Sequence, residues 1–501
     1  MTTPIEQRAG IPSFAGTGIA EMDEILGGGF AKSRLFLIEG IPGSGKTTLA
    51  LQYLLDGVAH GERVLYVTLS ETHEELDSVA ASHGWSLDGM EVRELVPSEE
   101  SLRPDEQYTM FHPSEVELSE TTRSILADVD RIRPTRVVFD SLSEFRLLAG
   151  NPLRYRRQIL ALKQFFTGRN CTVLMLDDLT GGDRDLQVQS IAHGVVRLEQ
   201  MLPEIGIERR RLMVIKYRGV QFRGGYHDYV IRRGGLQVFP RISVRRASRR
   251  IDARVASGVA GIDTLLGGGL EKGTSTLLIG APGTGKSTLA SQFVASAAER
   301  GANAAMFVFD ESLHTLLSRT TAVGIPLERH VDDGRVFIQQ IDPVELSPGE
   351  LRHVIRQQVE QRQVEVVVID SLNGYLNAMP EERFLVIQLH ELLGYLGEMN
   401  VATLLIGAHH GLIGSQMIAP IEASYLADAI ILMRYFEAEG EVRQAISVLK
   451  KRGGHHERTI REFGMNEHGI RVGPPLRDFH GVLTGVPTVL RKGAQRDGDE
   501  P

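Results

Sequence analysis

Two stretches of the 501-residue chain are nearly the same: residues 38–54 read IEGIPGSGKTTLALQYL, and residues 278–294 read LIGAPGTGKSTLASQFV. Within them, Gly40–Thr47 and Gly280–Ser287 both fit the pattern G-x-x-x-x-G-K-[ST]. An apolar run precedes each loop and a helix-like pattern follows it, which is the context that this pattern requires. The glycines allow successive backbone N–H groups to turn inward at a helix N-terminus and form a nest for an anion. The sequence therefore predicts two phosphate-binding loops.

The repetition extends well beyond these loops. TGIAEMDEILGGGF at residues 17–30 recurs as SGVAGIDTLLGGGL at residues 257–270, which keeps the offset of 240 positions between the loops. RVVFDSL at residues 136–142 recurs as VVVIDSL at residues 366–372, at an offset of 230. Each copy is long enough to bury a core of its own, so the pattern predicts a tandem duplication of a whole domain.

These offsets suggest how the chain is divided. We expect an N-terminal domain over residues 1–243, a C-terminal domain over residues 251–486 and a short polar tail over residues 487–501. The change of offset indicates ten extra residues in the first copy, within the polar stretch 97–120. The join at residues 240–255 holds six arginines and few large apolar residues. It is either a solvated linker or a strip that binds phosphate groups or a partner.

Within each copy, short β-branched runs alternate with helix-length amphipathic segments. In the first copy, Leu35–Glu39 and Arg63–Leu69 are such runs, and Thr47–His60 is the helix-like segment between them. This alternation predicts an α/β fold with a mostly parallel central sheet and helices on both faces. Later in the copy, VVRLEQ, RRLMVIKYRG and HDYVIR, between residues 195 and 232, predict consecutive antiparallel strands.

The composition restricts the class of protein. Hydrophobic residues make up 42% of the chain and charged residues 24%, which is typical of well-formed cores. No apolar run of about 18 residues occurs, and the N-terminus lacks the apolar region of a secretory signal. The single cysteine, Cys171, cannot form an internal disulfide. We therefore expect a cytoplasmic protein, and the net charge of −9 argues against whole-surface attraction to nucleic acid or lipid.

The two loops predict a nucleotide and a metal ion. Lys46 and Lys286 are expected to reach the β- and γ-phosphates of ATP. The hydroxyls of Thr47 and Ser287 are expected to ligate Mg²⁺. The other loop residues that we expect to contact ATP are Gly43, Ser44, Gly45, Thr48, Gly283, Thr284, Gly285 and Thr288.

Each copy also offers a carboxylate for the metal ion. Asp140 and Asp370 each close an apolar run and are followed by Ser-Leu. An aspartate at the end of a strand often caps the next helix, but behind a phosphate-binding loop it usually serves the Mg²⁺ ion. We expect both aspartates to bind the ion together with the loop hydroxyls.

Hydrolysis needs a further carboxylate that orients or deprotonates the attacking oxygen, on the strand beside the loop. YVTLSET at residues 66–72 and FVFDESL at residues 307–313 supply one each. Glu71 and Glu311, 240 positions apart, are the expected catalytic groups. The alternative for each is a solvated acid at a strand end.

Two repeated basic pairs follow apolar strands late in each copy: Lys216 with Arg218, and Lys450 with Arg452. Alternate residues of a strand point to the same side, so both cations of a pair face one way. Each pair is either an exposed basic edge or a clamp on the γ-phosphate of ATP held by a neighbouring subunit. The clamp requires a ring of subunits.

Taken together, these motifs resemble a known family. Two phosphate-loop domains of the RecA/DnaB type, each opened by a GGG turn and closed by K-x-R-G, resemble the KaiC family of hexameric circadian-clock ATPases. The resemblance covers residues 11–489 and is densest in LKKRGGHHERTIREF at residues 449–463. It implies a homo-hexamer of two stacked RecA-like rings, with ATP between subunits. The N-terminal ring would be chiefly an ATPase, and the C-terminal ring would phosphorylate and dephosphorylate itself.

The resemblance also implies catalytic acids. The family has paired glutamates where this chain has Ser70 with Glu71 and Asp310 with Glu311. Asp310 keeps a carboxylate that can accept a proton, whereas Ser70 has none. The chemistry of the first ring would therefore depend on Glu71.

Further assignments follow from the same resemblance. Ser82 matches a serine near the nucleotide of the first ring, and Ser424 matches a phosphoacceptor serine. The second acceptor of the family, a threonine, is replaced here by Tyr425. The segment after Pro487 is shorter than the tail through which the clock protein KaiA acts, so we do not expect a KaiA-type partner. A KaiB-like or other signalling partner is compatible with the resemblance.

Three classes of function remain open. The leading one is an ATP-hydrolysing hexamer, with serine/threonine autokinase activity, that phosphorylates itself on Ser424. The second is a ring-shaped scaffold that binds and slowly hydrolyses ATP without kinase activity. The third is a nucleic-acid motor, which needs basic or aromatic loops or a zinc module. With 6% aromatic residues, a negative net charge and no CxxC motif, we do not expect a nucleic-acid partner.

Overall fold

The computed structural model describes most of the chain. The described residues are 13–95, 113–179, 186–202, 207–242, 253–342, 344–377, 382–408, 423–484 and 488–489. They form two compact units, Met1–Arg241 and Ile242–Pro501. Most of the Arg-rich join, most of the polar stretch 97–120 and nearly all of the tail lie outside the described residues, so the expectations for these segments stay predictions.

The first unit contains a small strand pair and one large sheet. The small pair consists of β1 (Phe14–Ala15) and β2 (Phe30–Ala31). The nine strands of the large sheet are β3 (Leu35–Glu39), β4 (Val64–Thr68), β5 (Met90–Glu94), β6 (Arg136–Asp140), β7 (Thr172–Asp177), β8 (Gly194–Met201), β9 (Arg209–Tyr217), β10 (Tyr226–Arg232) and β11 (Gly235–Phe239).

The strand order across this sheet is β11-β10-β9-β8-β3-β7-β6-β4-β5. Strands β3 to β8 pair in parallel, and β8 to β11 follow one another as antiparallel neighbours. The predicted parallel sheet with an antiparallel extension is therefore confirmed. The helices described in this unit are α1 (Ala20–Leu26), α2 (Lys46–Ala59), α3 (His73–His83), α4 (Pro113–Ile132), α5 (Leu142–Ala149), α6 (Pro152–Thr167) and α7 (Leu186–Ile191).

Helices cover both faces of the first sheet. Leu35 and Leu37 of β3 belong to a core cluster that includes side chains of α5 and α6. Phe36 and Ile38 belong to the cluster on the other face, which includes side chains of α2. Because successive residues of one strand are all buried, the strand reads as a continuous apolar run, which is typical of parallel sheets between helices.

The second unit repeats this plan. Its small strand pairs are β12 (Arg254–Val255) with β13 (Leu270–Glu271), and β23 (Phe479–His480) with β24 (Thr488–Val489). Its large sheet contains β14 (Ser275–Gly280), β15 (Asn303–Val308), β16 (Val336–Gln340), β17 (Val364–Asp370), β18 (Ala402–Ala408), β19 (Ala429–Ala438), β20 (Glu441–Lys451), β21 (Arg461–Asn466) and β22 (Gly469–Pro475).

The order in the second sheet, β16-β15-β17-β18-β14-β19-β20-β21-β22, corresponds strand for strand to that of the first. The helices described here are α8 (Ala260–Leu265), α9 (Lys286–Glu299), α10 (Leu313–Ala322), α11 (Leu327–Asp332), α12 (Pro348–Arg362), α13 (Leu372–Asn377), α14 (Glu382–Glu398) and α15 (Ala423–Leu426), with a short 3₁₀ turn at Val482–Thr484. The chain thus contains two RecA-like α/β units in tandem. No helix among the described residues is long and apolar enough to cross a membrane.

The carboxyl ends of the parallel strands meet at one edge of each sheet. In the first unit, β3 leads into the phosphate-binding loop, β4 leads towards Glu71, and β6 ends at Asp140. In the second unit, β14, β15 and β17 lead in the same way to the loop, to Glu311 and to Asp370. Ligands of open α/β sheets bind at this edge, so the fold brings the predicted site residues together.

Candidate active site

The first loop lies between β3 and α2, and its glycines are required by close contacts and backbone angles. A Cβ atom on Gly40 would lie 2.5 Å from the carbonyl oxygen of Leu198 in β8. Gly45, the residue before α2, has a φ of 90°, in the left-handed region that favours glycine. The loop residues Gly43 to Thr48 therefore surround the N-terminus of a helix of 14 residues, where an anion is stabilised by free N–H groups.

Lys46 is turned back onto its own loop. Its Nζ donates to the carbonyl oxygens of Gly40 at 2.7 Å and Ile41 at 3.1 Å, and the residue is 8% exposed. Burial lowers the pKa of Lys46, and the carboxylate of Asp140 opposes this shift. A cation whose partners are only backbone dipoles gains a stronger partner when phosphate oxygens enter the loop.

Thr47 and Asp140 provide oxygen ligands beside the lysine. The Thr47 hydroxyl donates to Asp140 Oδ2 at 3.0 Å, and the hydroxyl of Tyr66 donates to the same oxygen at 2.6 Å. Burial raises the pKa of Asp140, and the hydrogen bonds from Tyr66 and Thr47 oppose this shift. A hydroxyl and a carboxylate that converge in this way are the hard oxygen donors that Mg²⁺ prefers. Thr47 and Asp140 therefore fit the metal ion expected with ATP.

Glu71 stands in the turn between β4 and α3. Thr68 holds this turn, because its hydroxyl accepts from the Glu71 N–H at 2.9 Å and donates to the Glu71 carbonyl at 2.7 Å. The Oε2 atom of Glu71 is buried and has no hydrogen-bond partner among the described residues. Burial, with the carboxylates of Asp140 and Glu75, raises the pKa of Glu71 to about 7. An unpaired carboxyl with a pKa near neutrality suits a general base.

The second loop repeats the geometry of the first. Gly285, with a φ of 93°, precedes α9, and Lys286 Nζ donates to the carbonyls of Gly280 and Ala281, both at 2.8 Å. Burial lowers the pKa of Lys286 to about 8. Burial also raises the pKa of Asp370, which a hydrogen bond with Ser287 opposes. Ser287 and Asp370 thus correspond to Thr47 and Asp140 as oxygen donors for the ion.

Glu311, the acid predicted to be catalytic in the second unit, differs from Glu71 in its partners. Glu311 forms a two-point ion pair with Arg319 of α10, with Nε–Oε1 and Nη2–Oε2 distances of 3.1 and 2.8 Å. The same guanidinium donates to the Thr288 hydroxyl at 2.7 Å. Asp310 is exposed and accepts from the Ser371 hydroxyl at 2.6 Å. The carboxylate of the second unit is therefore held in place, whereas that of the first is not.

Ser82 has no contact with the loop among the described residues. It is exposed, and its hydroxyl donates to the Val79 carbonyl of its own helix at 2.7 Å. The next residue, His83, lies nearer to the loop helix, with its Nε2 atom 3.5 Å from the Thr48 hydroxyl. The role of Ser82 therefore stays a prediction.

The two basic pairs contact the last turns of α7 and α15. In the first unit, Lys216 Nζ donates to the Gln189 carbonyl, and Arg218 Nη2 donates to the Ser190 carbonyl at 2.7 Å. In the second unit, Lys450 Nζ donates to the Ala427 carbonyl at 2.8 Å. No hydrogen bond or ion pair between either basic pair and the loop of its own unit is present in the described part of the chain.

The predicted phosphoacceptor lies in the element that the second basic pair contacts. Ser424 and Tyr425 are in the four-residue helix α15, and the Tyr425 carbonyl accepts from Arg452 Nη2 at 2.8 Å. Arg452 also contacts Asp428 Oδ1 at 3.4 Å. Tyr425 is 55% exposed. The side chain of Ser424 lies outside the described part of the structure.

Sequence reasoning missed three side chains at these sites: Tyr66, His83 and Arg319. The signal for Tyr66 was present, because alternate residues of a strand share a face and Tyr66 belongs to the strand that leads to Glu71. His83 and Arg319 lie on helices after the catalytic acids, 12 and 8 residues beyond Glu71 and Glu311. Their contacts depend on how these helices pack against the loop helices, which spacing alone does not give.

Comparison with known proteins agrees with this geometry. The family model described as "ATPase: KaiC" matches residues 15–243 and again residues 255–477. The circadian clock oscillator protein KaiC of Acaryochloris marina is 28% identical over 487 residues, which cover 96% of this chain and 92% of that protein. KaiC of Thermosynechococcus vestitus is 28% identical over 494 residues, covering 97% and 94%. The circadian clock protein KaiC3 of Synechocystis is 26% identical over 479 residues, covering 94% of both chains. The chain belongs to the KaiC family of ATPases and carries the ATPase domain of that family twice.

Proposed function

We propose that both units bind ATP with Mg²⁺ and that the first unit hydrolyses it, with Glu71 as the general base. The observation that carries this proposal is the carboxyl of Glu71, which has one buried oxygen without a hydrogen-bond partner among the described residues and a pKa raised to about 7. Lys46 would bind the terminal phosphates, and Thr47 and Asp140 would hold the ion. When bound, Mg²⁺ neutralises part of the phosphate charge.

The hydrolytic step is a displacement at the γ-phosphorus. Glu71 accepts a proton from water while the water oxygen forms a bond to phosphorus and the bond to the β-phosphate oxygen breaks. The products are ADP and inorganic phosphate. Among the described residues, Lys46 Nζ bonds to two backbone carbonyls, at 2.7 and 3.1 Å, and to no carboxylate, so it can move onto the phosphates without breaking an ion pair there.

The site is proposed to be completed by a neighbouring copy of the chain. Lys216 and Arg218 contact α7 and not their own loop, and such cations accelerate phosphoryl transfer when supplied in trans. The resemblance to the KaiC family implies a homo-hexamer, and we propose this as the closed assembly. We also propose a cytoplasmic location and a KaiB-like or other signalling partner, and we do not propose a KaiA-type partner.

For the second unit, we propose autophosphorylation of Ser424. Arg452, expected to contact the γ-phosphate of the neighbouring ATP, also holds α15, which carries Ser424. A clamp that binds both groups brings the serine next to the phosphoryl group. In this step the Ser424 oxygen bonds to the γ-phosphorus, ADP leaves, and Glu311 of the copy that holds the ATP, with its Asp310 adjacent in sequence, takes the hydroxyl proton.

One observation favours a second candidate, a ring scaffold whose second unit binds ATP without transferring it. Both carboxylate oxygens of Glu311 accept hydrogen bonds from Arg319, so they are occupied and do not face an attacking hydroxyl. The second unit acts as a kinase in this protein only if the pair opens when ATP binds.

Intact-mass analysis after incubation with Mg-ATP separates the two candidates. The kinase predicts a mass gain of one phosphate on the wild-type chain and none on Ser424→Ala. Ser318→Ala, a change of the same kind in α10, should keep the gain. A wild-type chain without any gain, but with steady release of phosphate, would reject the kinase and support the scaffold. Absence of phosphate release as well would reject hydrolysis in the first unit.

A further inference from the structure

A second concave site lies in the first unit, at the edge of the sheet where β3 and β7 begin. It is a pocket of about 270 Å³, close to the lower end of small-ligand sites, which begin at about 300 Å³. Arg34, Lys163, Thr167, Cys171 and His193 are among its lining residues. The phosphate-binding loop follows the other end of β3, so this pocket is distinct from the loop.

Three cationic side chains beside this pocket contact the C-terminal end of α7. Lys163 Nζ donates to the carbonyl of residue 191 at 2.7 Å. Lys216 and Arg218 donate to the carbonyls of residues 189 and 190. Three positive side chains therefore contact three consecutive carbonyls of the last turn of α7. A helix C-terminus carries only about half a negative charge, so it cannot neutralise them.

The described part of the chain supplies no carboxylate to these groups. None of Arg34, Lys163, Lys216 and Arg218 forms an ion pair with an acidic side chain among the described residues. Burial, followed by the charges of Arg218 and Arg34, lowers the pKa of Lys163. Burial and the same neighbouring cations lower the pKa of His193 to about 4. The pocket thus has a positive potential that the surrounding side chains leave uncompensated.

In the second unit, a carboxylate lies next to one of the corresponding cations. The His193 N–H donates to the Leu35 carbonyl at 2.8 Å, and the Asp428 N–H donates to the Ser275 carbonyl at 2.9 Å, so His193 and Asp428 occupy equivalent positions. Asp428 contacts Arg452 at 3.4 Å. The equivalent strand pairs differ by 240 and 230 positions, and the same offsets place Thr274 and Leu393 at the positions of Arg34 and Lys163. The second unit therefore has two cations fewer and one carboxylate more.

We propose that this basic pocket, formed by Arg34, Lys163 and His193 with Lys216 and Arg218 beside it, binds a phosphate group. Three cations on flexible stems can turn from backbone carbonyls to phosphate oxygens, and such charge-assisted hydrogen bonds are stronger than those they replace. The phosphate has two possible sources. One is inorganic phosphate, and the other is the terminal phosphate of ATP held by a neighbouring copy. Only the second source rests on the ring proposed above.

The first measurement uses inorganic phosphate as the probe. The full chain carries Lys46→Ala and Lys286→Ala, so that the two loops do not dominate binding, and phosphate is titrated against chloride at constant ionic strength. Lys163→Met and His193→Asp, the latter copying the second unit, should each weaken phosphate binding about tenfold. The control is Lys32→Met, which removes an exposed lysine paired with Glu62 at 3.8 Å and should leave binding unchanged.

The second measurement distinguishes the sources in the chain with intact loops. If the phosphate belongs to a neighbouring ATP, Lys163→Met should weaken ATP-dependent subunit association, and the phosphate titration should show weak binding in all chains. If the site takes inorganic phosphate, association should be unchanged and the titration should show the tenfold loss. The proposal is overturned if Lys163→Met and His193→Asp match Lys32→Met in both measurements.

Failure of this proposal is distinguishable from failure of the proposed hydrolysis. If the chain binds phosphate through Lys163 but releases none from ATP, the proposed phosphate pocket stands and the proposed hydrolysis is rejected. If the chain hydrolyses ATP normally and Lys163→Met has no effect in either measurement, the proposed hydrolysis stands and the proposed pocket is rejected.

Discussion

The two expected catalytic glutamates occupy corresponding positions but have different surroundings. Glu71 has a buried oxygen without a hydrogen-bond partner among the described residues, and burial raises its pKa to about 7. Glu311 is held at two points by Arg319. The guanidinium therefore occupies both oxygens of Glu311, whereas burial favours the neutral form of Glu71. We infer that the two units differ in activity because of these neighbours.

Replacing Glu71 by glutamine should lower phosphate release by about 10²- to 10³-fold, because the amide cannot accept the proton of water. The fold should not suffer, since glutamine has nearly the same shape and Oε2 of Glu71 has no hydrogen-bond partner to lose among the described residues. Steady-state phosphate release and the melting temperature check both points. Glu74→Gln, an exposed acid in the same helix turn, is the matched control. Equal loss in both variants would contradict a catalytic role for Glu71.

The pH dependence of hydrolysis should report the same carboxyl group. Because the pKa of Glu71 is raised to about 7, the group is mostly neutral below pH 7 and cannot act as a base. Phosphate release should therefore fall about tenfold when the pH is lowered from 8 to 6. The phosphate release that remains in Glu71→Gln should not fall between pH 8 and pH 6. A wild-type profile that is flat over this range, with ATP saturating, would contradict the assignment.

Removing Arg319 should free the second carboxylate. In a chain that also carries Glu71→Gln, Arg319→Ala should raise ATP turnover or phosphorylation roughly three- to tenfold, because both oxygens of Glu311 then become accessible to the attacking oxygen. Arg329→Ala, which removes an exposed arginine 3.9 Å from Asp333, is the control and should have no effect. A decrease with Arg319→Ala would show instead that this arginine assists the nucleotide.

At the scale of elements, strand ends and helix starts set the positions of the site residues. The helix after Glu71 begins at a capping box formed by Thr72 and Glu75, and the helix after Glu311 begins at Ser312, whose hydroxyl accepts from Thr315 N. These caps fix the turns that carry the glutamates. The close approach of Gly40 to β8 fixes the loop in the same way.

A methyl group on Gly40 should therefore displace the loop. In Gly40→Ala the new Cβ would lie 2.5 Å from the backbone oxygen of Leu198, which cannot move without the strand. We expect a loss of stability of about 1–3 kcal/mol and weaker ATP binding, measured by thermal unfolding and nucleotide titration. Gly168→Ala, where nothing lies within 4 Å of the added Cβ, should be neutral. Normal ATP affinity in Gly40→Ala would show that the loop tolerates the shift.

Elements with a strong local pattern were predictable, and contacts between elements were not. The strand–loop–helix units around Lys46 and Lys286 follow from apolar runs and glycine spacing, and the structure contains them. The pairing of Arg319 with Glu311 was missed, because it depends on the packing of one helix against the loop helix. The basic pocket was missed for the same reason, since Arg34, Lys163 and His193 come from distant parts of the chain.

At the scale of the whole molecule, a duplicated domain has kept its fold and changed its charges. The two sheets correspond strand for strand, and the lysines of both loops make the same backbone contacts. Around them, Glu311 has gained Arg319, and His193 stands where the second unit has Asp428. Such differences accompany the separate tasks that we propose for the two units, hydrolysis in the first and phosphorylation in the second.

The central claim is that both loops hold ATP. The most direct measurement is the number of ATP molecules bound per chain in the presence of Mg²⁺, by equilibrium binding to the wild type, Lys46→Ala and Lys286→Ala. The account predicts two ATP molecules for the wild type and one for each variant, because each lysine serves its own loop. One molecule or none on the wild-type chain, or a full two on either variant, would contradict it.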